Sequence, residues 1–243
     1  DCGANVNTDP THTGQPQLTY DCEQLGVNVS DQTFNLCGSG YKIRRTWTVM
    51  DFCAPTNMQV HVQTIFVVDT NAPTLTIGNI TKAIVSNDCR EWVDVVATAS
   101  DACSTVSITN DSQYSERGTG ADASGHYPKG THTIHFTAVD ACGNRTATTI
   151  TVTVVDGKKP TPVCIPVAID MKSTQSVVLT PITLNGGSYD NCTAASSLTY
   201  QLELVVEGVA QGRVNQLTFD CSHIGTQLVR LWVRDEAGNQ DYC

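Results

Sequence analysis

A strand-and-turn motif recurs three times along this chain at nearly constant spacing. Its copies are segments 47–53, 136–144 and 231–239. Aligned on Asp51, Asp140 and Asp235, the copies lie 89 and 95 residues apart. A period of this length is longer than that of a solenoid repeat and close to the size of one small β-sandwich domain. The chain of 243 residues is therefore predicted to hold three tandem domains.

The composition of the chain favours strands joined by polar turns. Charged residues make up 16% and aromatic residues 6% of the sequence, and His132–Val139 alternates with the period of a half-buried strand. We therefore predict an all-β fold of three tandem immunoglobulin-like β-sandwich domains, disulfide-stapled and elongated. The predicted bounds are 1–72 for a first domain that lacks its first strands, 73–159 for the second domain, and 160–243 for a third domain that lacks its last strand.

Charge and missing motifs argue against several classes of function. The net charge of −10 disfavours a nucleic-acid partner, since binding a polyanion needs clustered lysine and arginine. No apolar run approaches the roughly 20 residues of a membrane-spanning helix, so no membrane span is predicted in this segment. The sequence contains no Gly-x-Ser-x-Gly, P-loop or His-Glu-x-x-His motif, and we predict neither catalysis nor a required cofactor.

Several short motifs surround the recurrent turn. They are Asp-x-Cys at Asp101–Cys103, Thr-Ala-x-Asp-x-Cys-Gly-Asn at 137–144, Val-Val-Asp-x-x-x-Pro at 67–73 and 154–160, and the turn at Tyr127–Thr131. Together they resemble hyalin-repeat (HYR) domains and related immunoglobulin-like repeats. The last third carries Asp190–Cys192, Thr218–Cys221 and Gly225–Val229. It is similar to the cysteine-rich variant found in very long bacterial surface adhesins, including those of gliding bacteria.

The resemblance implies a role more weakly than it implies a fold, because such repeats serve as spacers, adhesive modules or filament material. It predicts an extracellular, cell-surface stalk, fibre or filament whose partners are copies of itself or neighbouring repeats. Either the sequence is a window cut from a longer chain, or strand exchange between subunits completes the open sandwiches. The alternative is a ligand- or glycan-binding module of a larger secreted protein, which would bind through loops 110–130.

The eleven cysteines of the chain include no Cys-x-x-Cys pair, which indicates disulfides in an extracellular setting. In an immunoglobulin-like sandwich the loop after the second strand and the turn after the sixth strand lie at the same end. This geometry predicts the bonds Cys103–Cys142 and, by repetition, Cys2–Cys53, with Cys22–Cys37 completing the first domain.

In the third domain, Cys164 on the first strand and Cys243 before the last strand are predicted to pair. Cys192 and Cys221 form the remaining pair, which the resemblance also implies, and Cys89 is left unpaired or intermolecular. Spacing alone does not determine connectivity. The combination of Cys2–Cys37 with Cys22–Cys53 therefore stays open.

Acidic residues at turns and linkers raise the question of calcium. Asp69 and Asp156 lie in the predicted linkers, and Asp101 and Asp140 lie in loops predicted to share one end of the second domain. Such loops can supply the carboxylate and carbonyl oxygens that Ca²⁺ needs. Turn capping through bonds to nearby backbone N–H groups explains each aspartate as well and is the favoured interpretation.

Asn-x-Ser/Thr sequences offer candidate glycosylation sites. Asn28, Asn79 and Asn110 begin three of them. Asn144 and Asn191 also match, but both sit in predicted turns, where asparagine is common for its own backbone hydrogen bonds.

Overall fold

The computed structural model describes residues 6–19, 24–53, 58–171 and 176–243. Its strands in chain order are β1 (Leu25–Asn35), β2 (Tyr41–Asp51), β3 (Met58–Val67), β4 (Thr74–Thr76), β5 (Ile80–Ile84), β6 (Arg90–Val93), β7 (Thr98–Ser100), β8 (Val106–Asn110), β9 (Gly125–Pro128), β10 (Gly130–Asp140), β11 (Arg145–Asp156), β12 (Ser176–Leu179), β13 (Thr199–Val206), β14 (Val209–Val214), β15 (Leu217–Asp220), β16 (Leu228–Arg234) and β17 (Gln240–Tyr242). The helical segments among these residues are short: Pro10–Thr13, Pro181–Leu184, Ala195–Ser197 and Cys221–His223. The predicted all-β class is confirmed. Among the described helices, none has the length and hydrophobicity needed to cross a membrane.

The chain divides into two compact units, each assembled from separate stretches of sequence. Unit 1 comprises Asp1–Gly78, Val95–Ala123 and Thr133–Ile150, and unit 2 comprises Asn79–Asp94, Ser124–His132 and Thr151–Cys243. Residues 73–159, which the repeat predicts to be one domain, thus contribute to both units. The division into three domains stays a prediction.

Unit 1 contains an antiparallel sheet in the order β1-β2-β3. The central strand β2 buries Ile43, Arg45 and Trp47, which are alternate residues and therefore share one face of the sheet. Trp47 lies opposite Val29 of β1 and His61 of β3.

The buried Arg45 ties a preceding segment to this sheet. Its guanidinium donates to both carboxylate oxygens of Asp31 at 2.9 and 2.8 Å, to the Thr8 carbonyl and to the Thr13 hydroxyl. These bonds satisfy a charge that is otherwise costly to bury. The same pair lowers the pKa of Asp31, chiefly through the hydrogen bond from Arg45.

A second part of unit 1 forms around strand β10. Strand β8 pairs with it antiparallel, with Phe136 opposite Asn110 and Asp140 opposite Val106. The alternate residues Ile134, Phe136 and Ala138 of β10 are at most 1% exposed. The alternation seen in the sequence therefore marks a true core face.

Unit 2 contains a four-stranded antiparallel sheet in the order β14-β13-β16-β17. Leu202 of β13 lies opposite Leu231 of β16, and both are fully buried together with Val233. The other pairings of unit 2 are β12 with β15, β6 with β9, and β5 with β11. The last of these pairs is parallel.

Three disulfide bonds join described cysteines, namely Cys37–Cys142, Cys89–Cys192 and Cys164–Cys243. The third bond confirms the prediction for Cys164 and Cys243. Cys53 and Cys103 are also disulfide-bonded, whereas Cys221 is free and exposed. The predicted bonds of Cys2 and Cys22 involve residues outside the described ranges.

The predicted pairs Cys103–Cys142 and Cys22–Cys37 are wrong, as is the open alternative Cys2–Cys37, because Cys37 bonds to Cys142. The predicted placement of the loops was nevertheless sound, since the Ala141 amide donates to the Ser104 hydroxyl at 3.3 Å. The β1–β2 turn also reaches this position, where the Ser39 amide donates to the Cys103 carbonyl at 3.0 Å. That turn brings Cys37 to Cys142.

The predicted pair Cys192–Cys221 and the unpaired state of Cys89 are wrong for a related reason. The Asn191 side chain donates to the Ser86 carbonyl at 3.3 Å, so the loop before β6 lies beside Cys192 and presents Cys89 to it. Both corrected bonds span more than one repeat period, with separations of 105 and 103 residues. The predictions had assumed that each cysteine pairs within its own repeat.

Candidate cation-binding clusters

The aspartates of the recurrent turn and of the Asp-x-Cys motif cap their own turns, as predicted. Asp101 accepts backbone hydrogen bonds from Cys103 at 2.8 Å and Ser104 at 3.0 Å. Asp140 accepts from the Cys142 and Asn144 amides, both at 2.8 Å. A carboxylate that caps a turn through one oxygen can still offer its second oxygen to a ligand.

Unit 1 brings Asp69 and Asp101 together with Cys103. One potential ligand atom from each lies within 4.8 Å of the others. Asp69 is 5% exposed; its Oδ1 accepts from the Asn71 amide, whereas its Oδ2 is buried without a hydrogen-bond partner. The Cys103 sulfur belongs to a disulfide, so it offers no thiolate, and the carboxylates are the donors of this cluster.

Asp140 is one of the calcium candidates named from the sequence, but it is not a member of that cluster. Its Oδ1 is occupied by backbone amides, and its Oδ2 accepts from the Asn144 side chain at 2.7 Å. Burial would raise the pKa of Asp140, but the hydrogen bonds from Asn144 and the turn amides outweigh burial and lower it. The Asn144 side chain also donates to the Asp69 carbonyl at 3.2 Å, so it holds the linker against the turn.

Unit 2 repeats this arrangement with three carboxylates. One oxygen each from Asp156, Asp190 and Asp235 lies within 4.8 Å of the others. Asp156 is 7% exposed and Asp235 is 4% exposed. Asp156 Oδ2 and Asp190 Oδ1 are buried and have no hydrogen-bond partner.

The turns of unit 2 fix the direction of each carboxylate. The Cys192 and Thr193 amides both donate to Asp190 Oδ2 at 2.8 Å, which leaves Oδ1 turned away from the turn amides. Lys158 donates its amide to Asp156 Oδ1 at 3.2 Å. Asn239 bonds Asp235 through its amide at 2.7 Å and, through its side chain, the Asp156 carbonyl at 3.1 Å.

Without a cation, the electrostatics of this carboxylate cluster are unfavourable. Burial raises the pKa of Asp156, and the negative charges of Asp190 and Asp235 add to that rise against the opposing amide of Lys158. Adjacent buried carboxylates repel one another, and a buried oxygen without a partner loses its hydration energy. The arrangement is chemically suited to a hard cation with oxygen ligands.

The sequence interpretation missed Asp190 and Asp235 as members of a cation cluster. Asp190 holds the place in the Asp-x-Cys motif that Asp101 holds one repeat earlier, and Asp235 corresponds to Asp140. Applying the calcium hypothesis to every repeat would have found both.

The three candidate glycosylation sites differ in their surroundings. Asn28 on β1 and Asn79 are exposed, although the Asn79 side-chain oxygen accepts from the Thr151 amide. Asn110 is 7% exposed, and its side-chain nitrogen donates to the Gly118 carbonyl at 3.2 Å and to the Gly120 carbonyl at 2.7 Å. That nitrogen would carry the sugar, so the folded chain is a poor acceptor at Asn110.

Comparison with known proteins gives structural neighbours but no family. No protein-family profile matches the sequence, and no curated protein does. The human CDH23 EC21-23 structure aligns with TM-score 0.44 and 12% identity over 83% of this chain and 72% of that one. The protocadherin gammaB7 EC3-6 structure gives TM-score 0.38 and 15% identity over 90% and 67%. A Bacteroides ovatus protein, SGBP-B, in complex with a mixed-linkage heptasaccharide gives TM-score 0.27 and 15% identity over 72% and 46%.

Proposed function

We propose that this chain is a non-enzymatic extracellular repeat protein that serves in a cell-surface stalk, fibre or filament. The pair of bonds Cys37–Cys142 and Cys89–Cys192 carries the proposal. Each bond closes a loop of just over one hundred residues, 105 and 103, and links cysteines that belong to consecutive sequence repeats. Covalent links between consecutive repeats limit how far a chain can be extended under load. Disulfides of this kind are typical of oxidising, extracellular surroundings.

The partners proposed for this protein are neighbouring repeats and further copies of itself. Strands β1 and β3 are the outer strands of the unit 1 sheet, so their outer edges can accept another strand. Strand β3 also exposes an apolar row, with Met58, Val60, Val62 and Phe66 between 43% and 62% exposed. These residues alternate along β3 and so share one face. An apolar face next to an open edge favours sheet-to-sheet association.

Small-angle scattering and sedimentation velocity test this role together. A stalk protein should scatter as an elongated particle at every concentration, and a self-associating one should sediment faster as concentration rises. Replacing Val60 and Val62 with lysine should abolish the concentration dependence. The matched change of exposed Thr98 and Val155 to lysine should leave it intact. A compact particle would refute the stalk, and association that survives the Val60 and Val62 change would refute this face.

A groove on unit 2 is the feature that favours the alternative, a ligand- or glycan-binding module. The groove encloses about 240 Å³ and is lined mainly by polar side chains, including Gln201, Arg213 and Gln240. However, the Arg213 guanidinium carbon lies 3.4 Å from the centre of the Trp232 ring, and the centre of the Tyr242 ring lies 4.6 Å from it. These two side chains occupy the ring where a sugar would stack. Within the predicted surface 110–130, Tyr127 is fully buried. A glycan array with a positive signal that Gln201→Ala removes would favour this alternative.

A further inference from the structure

We propose that Asp156, Asp190 and Asp235 form a binding site for a divalent cation of the Ca²⁺ class. One oxygen from each of the three carboxylates lies within 4.8 Å of the other two. A second observation is independent of that proximity. Asp156 is 7% exposed, and its Oδ2, like Asp190 Oδ1, is buried and has no hydrogen-bond partner.

Orphaned carboxylate oxygens are the feature that points to a cation. Buried polar atoms in folded proteins are nearly always hydrogen-bonded, because an unmet acceptor costs free energy on folding. Here, two such atoms belong to neighbouring negative charges, so both desolvation and repulsion oppose the arrangement. A divalent cation between the carboxylates would remove both penalties at once.

Turn capping and cation binding use different oxygens of the same side chains. The Cys192 and Thr193 amides hold Asp190 Oδ2, and Lys158 holds Asp156 Oδ1, while the opposite oxygen of each side chain is the orphaned one. The turns therefore preorganise the two free oxygens before any ion arrives. Turn formation, which the sequence favoured as the role of these aspartates, is thus compatible with metal binding.

The donor atoms determine the class of ion. The cluster contains oxygen donors and neither a histidine nor a thiolate, which favours Ca²⁺ over Zn²⁺ or Cu²⁺. Asn191, the next residue after Asp190, adds a buried side-chain oxygen that also has no partner. Ca²⁺ accepts carboxylate and amide oxygens in flexible geometry, whereas Mg²⁺ demands a near-ideal octahedron and keeps several waters.

Unit 1 supplies an internal comparison for this site. Its cluster holds two carboxylates, Asp69 and Asp101, with a disulfide sulfur in the third position. Only one of its carboxylate oxygens, Asp69 Oδ2, is buried without a partner. With one negative charge fewer in the cluster, unit 1 should bind the same ion more weakly.

Calorimetric titration of chelator-treated protein with CaCl₂ to about 10 mM, a range that covers extracellular calcium modules, tests the proposal. Asp190→Asn is the informative variant, because asparagine can still accept the turn amides but carries no charge. It should weaken the tighter binding phase by about tenfold or more, as loss of a charged ligand implies. Asp101→Asn and the surface control Asp51→Asn, which also caps a turn, should leave that phase unchanged.

A thermal melt gives a second readout that does not depend on fitting a titration. An ion that binds only the folded state raises the Tm. Because the site favours Ca²⁺ over Mg²⁺, CaCl₂ should raise the Tm of the wild type more than MgCl₂ at equal ionic strength. The Asp190→Asn variant should lose that difference while its Tm without calcium stays measurable. Absence of calcium uptake by the wild type, or an unchanged tight phase in Asp190→Asn, would overturn the proposal. The scattering experiment tests the proposed stalk separately, so failure of calcium binding and failure of the stalk are distinguishable.

Discussion

Removing the Cys89–Cys192 bridge should destabilise the protein by an amount that its loop length sets. The Cys89–Cys192 bond closes a loop of 103 residues. A bond of that loop length stabilises the folded chain by about 4.7 kcal/mol if it acts by reducing the conformational entropy of the unfolded chain. The loop closed by Cys37–Cys142 shares residues 89–142 with it, so the unfolded chain is already partly restricted. We therefore expect Cys89→Ser with Cys192→Ser to lower the free energy of unfolding by about 3–4 kcal/mol.

The free thiol of Cys221 provides the matched control for this experiment. Cys221 is exposed and unbonded, so Cys221→Ser should change the free energy of unfolding by no more than about 0.5 kcal/mol. Urea unfolding followed by tryptophan fluorescence measures both variants under oxidising conditions. If Cys192 paired with Cys221, as its sequence position suggests, both variants would lose that bond and Cys221→Ser would be destabilised as well. Alkylation of the native wild type should label Cys221 and spare Cys89, which keeps the test decisive if the double variant does not fold.

Two further predictions concern the buried charge of the unit 1 sheet. Arg45→Ala should lower the free energy of unfolding by about 2–4 kcal/mol, below the upper range for fully buried pairs because Asp31 is 36% exposed. Arg44→Ala on the opposite, exposed face should be nearly neutral in the same urea titration, and equal losses would contradict the prediction. Arg45 lowers the pKa of Asp31. The pair's contribution to the free energy of unfolding is therefore complete above the ordinary carboxyl pKa, and it is lost as the pH falls through the lowered pKa of Asp31. Asp31→Asn should therefore lose less free energy of unfolding between pH 5 and pH 2 than the wild type does. An equal loss over that range in the two proteins would refute this account.

The sequence predicted well wherever a local pattern carries the information. The alternation of His132–Val139 marks the face of β10 that buries Ile134, Phe136 and Ala138. Each aspartate of the recurrent turn accepts backbone amides two to four residues later, as the turn chemistry predicts. In both cases the interaction lies within a few residues of the motif, so periodicity and residue type suffice.

Long-range pairing was the part that the sequence could not provide. The parallel register of Ile80 with Val152 and the bond between Cys37 and Cys142 both join residues more than 70 positions apart. Nothing in the local pattern distinguishes Cys142 bonded to Cys37 from Cys142 bonded to Cys103, since both candidates reach the same loop region. The assumption that repeats pair internally decided the prediction, and the β1–β2 turn overrides it.

The disulfide and the proposed cation site of unit 2 act on the same loop. The Cys192 amide donates to Asp190 Oδ2 at 2.8 Å, while the Cys192 sulfur is bonded to Cys89. Losing the bridge should let this loop fluctuate, and ordering it again on binding would cost conformational entropy. The Cys89→Ser, Cys192→Ser variant should therefore bind Ca²⁺ more weakly than the wild type, although no carboxylate has changed. By thermodynamic reciprocity, Ca²⁺ should in turn make the bridge harder to reduce in a dithiothreitol titration. Equal calcium affinity with and without the bridge would show that Asp190 is positioned by its turn alone.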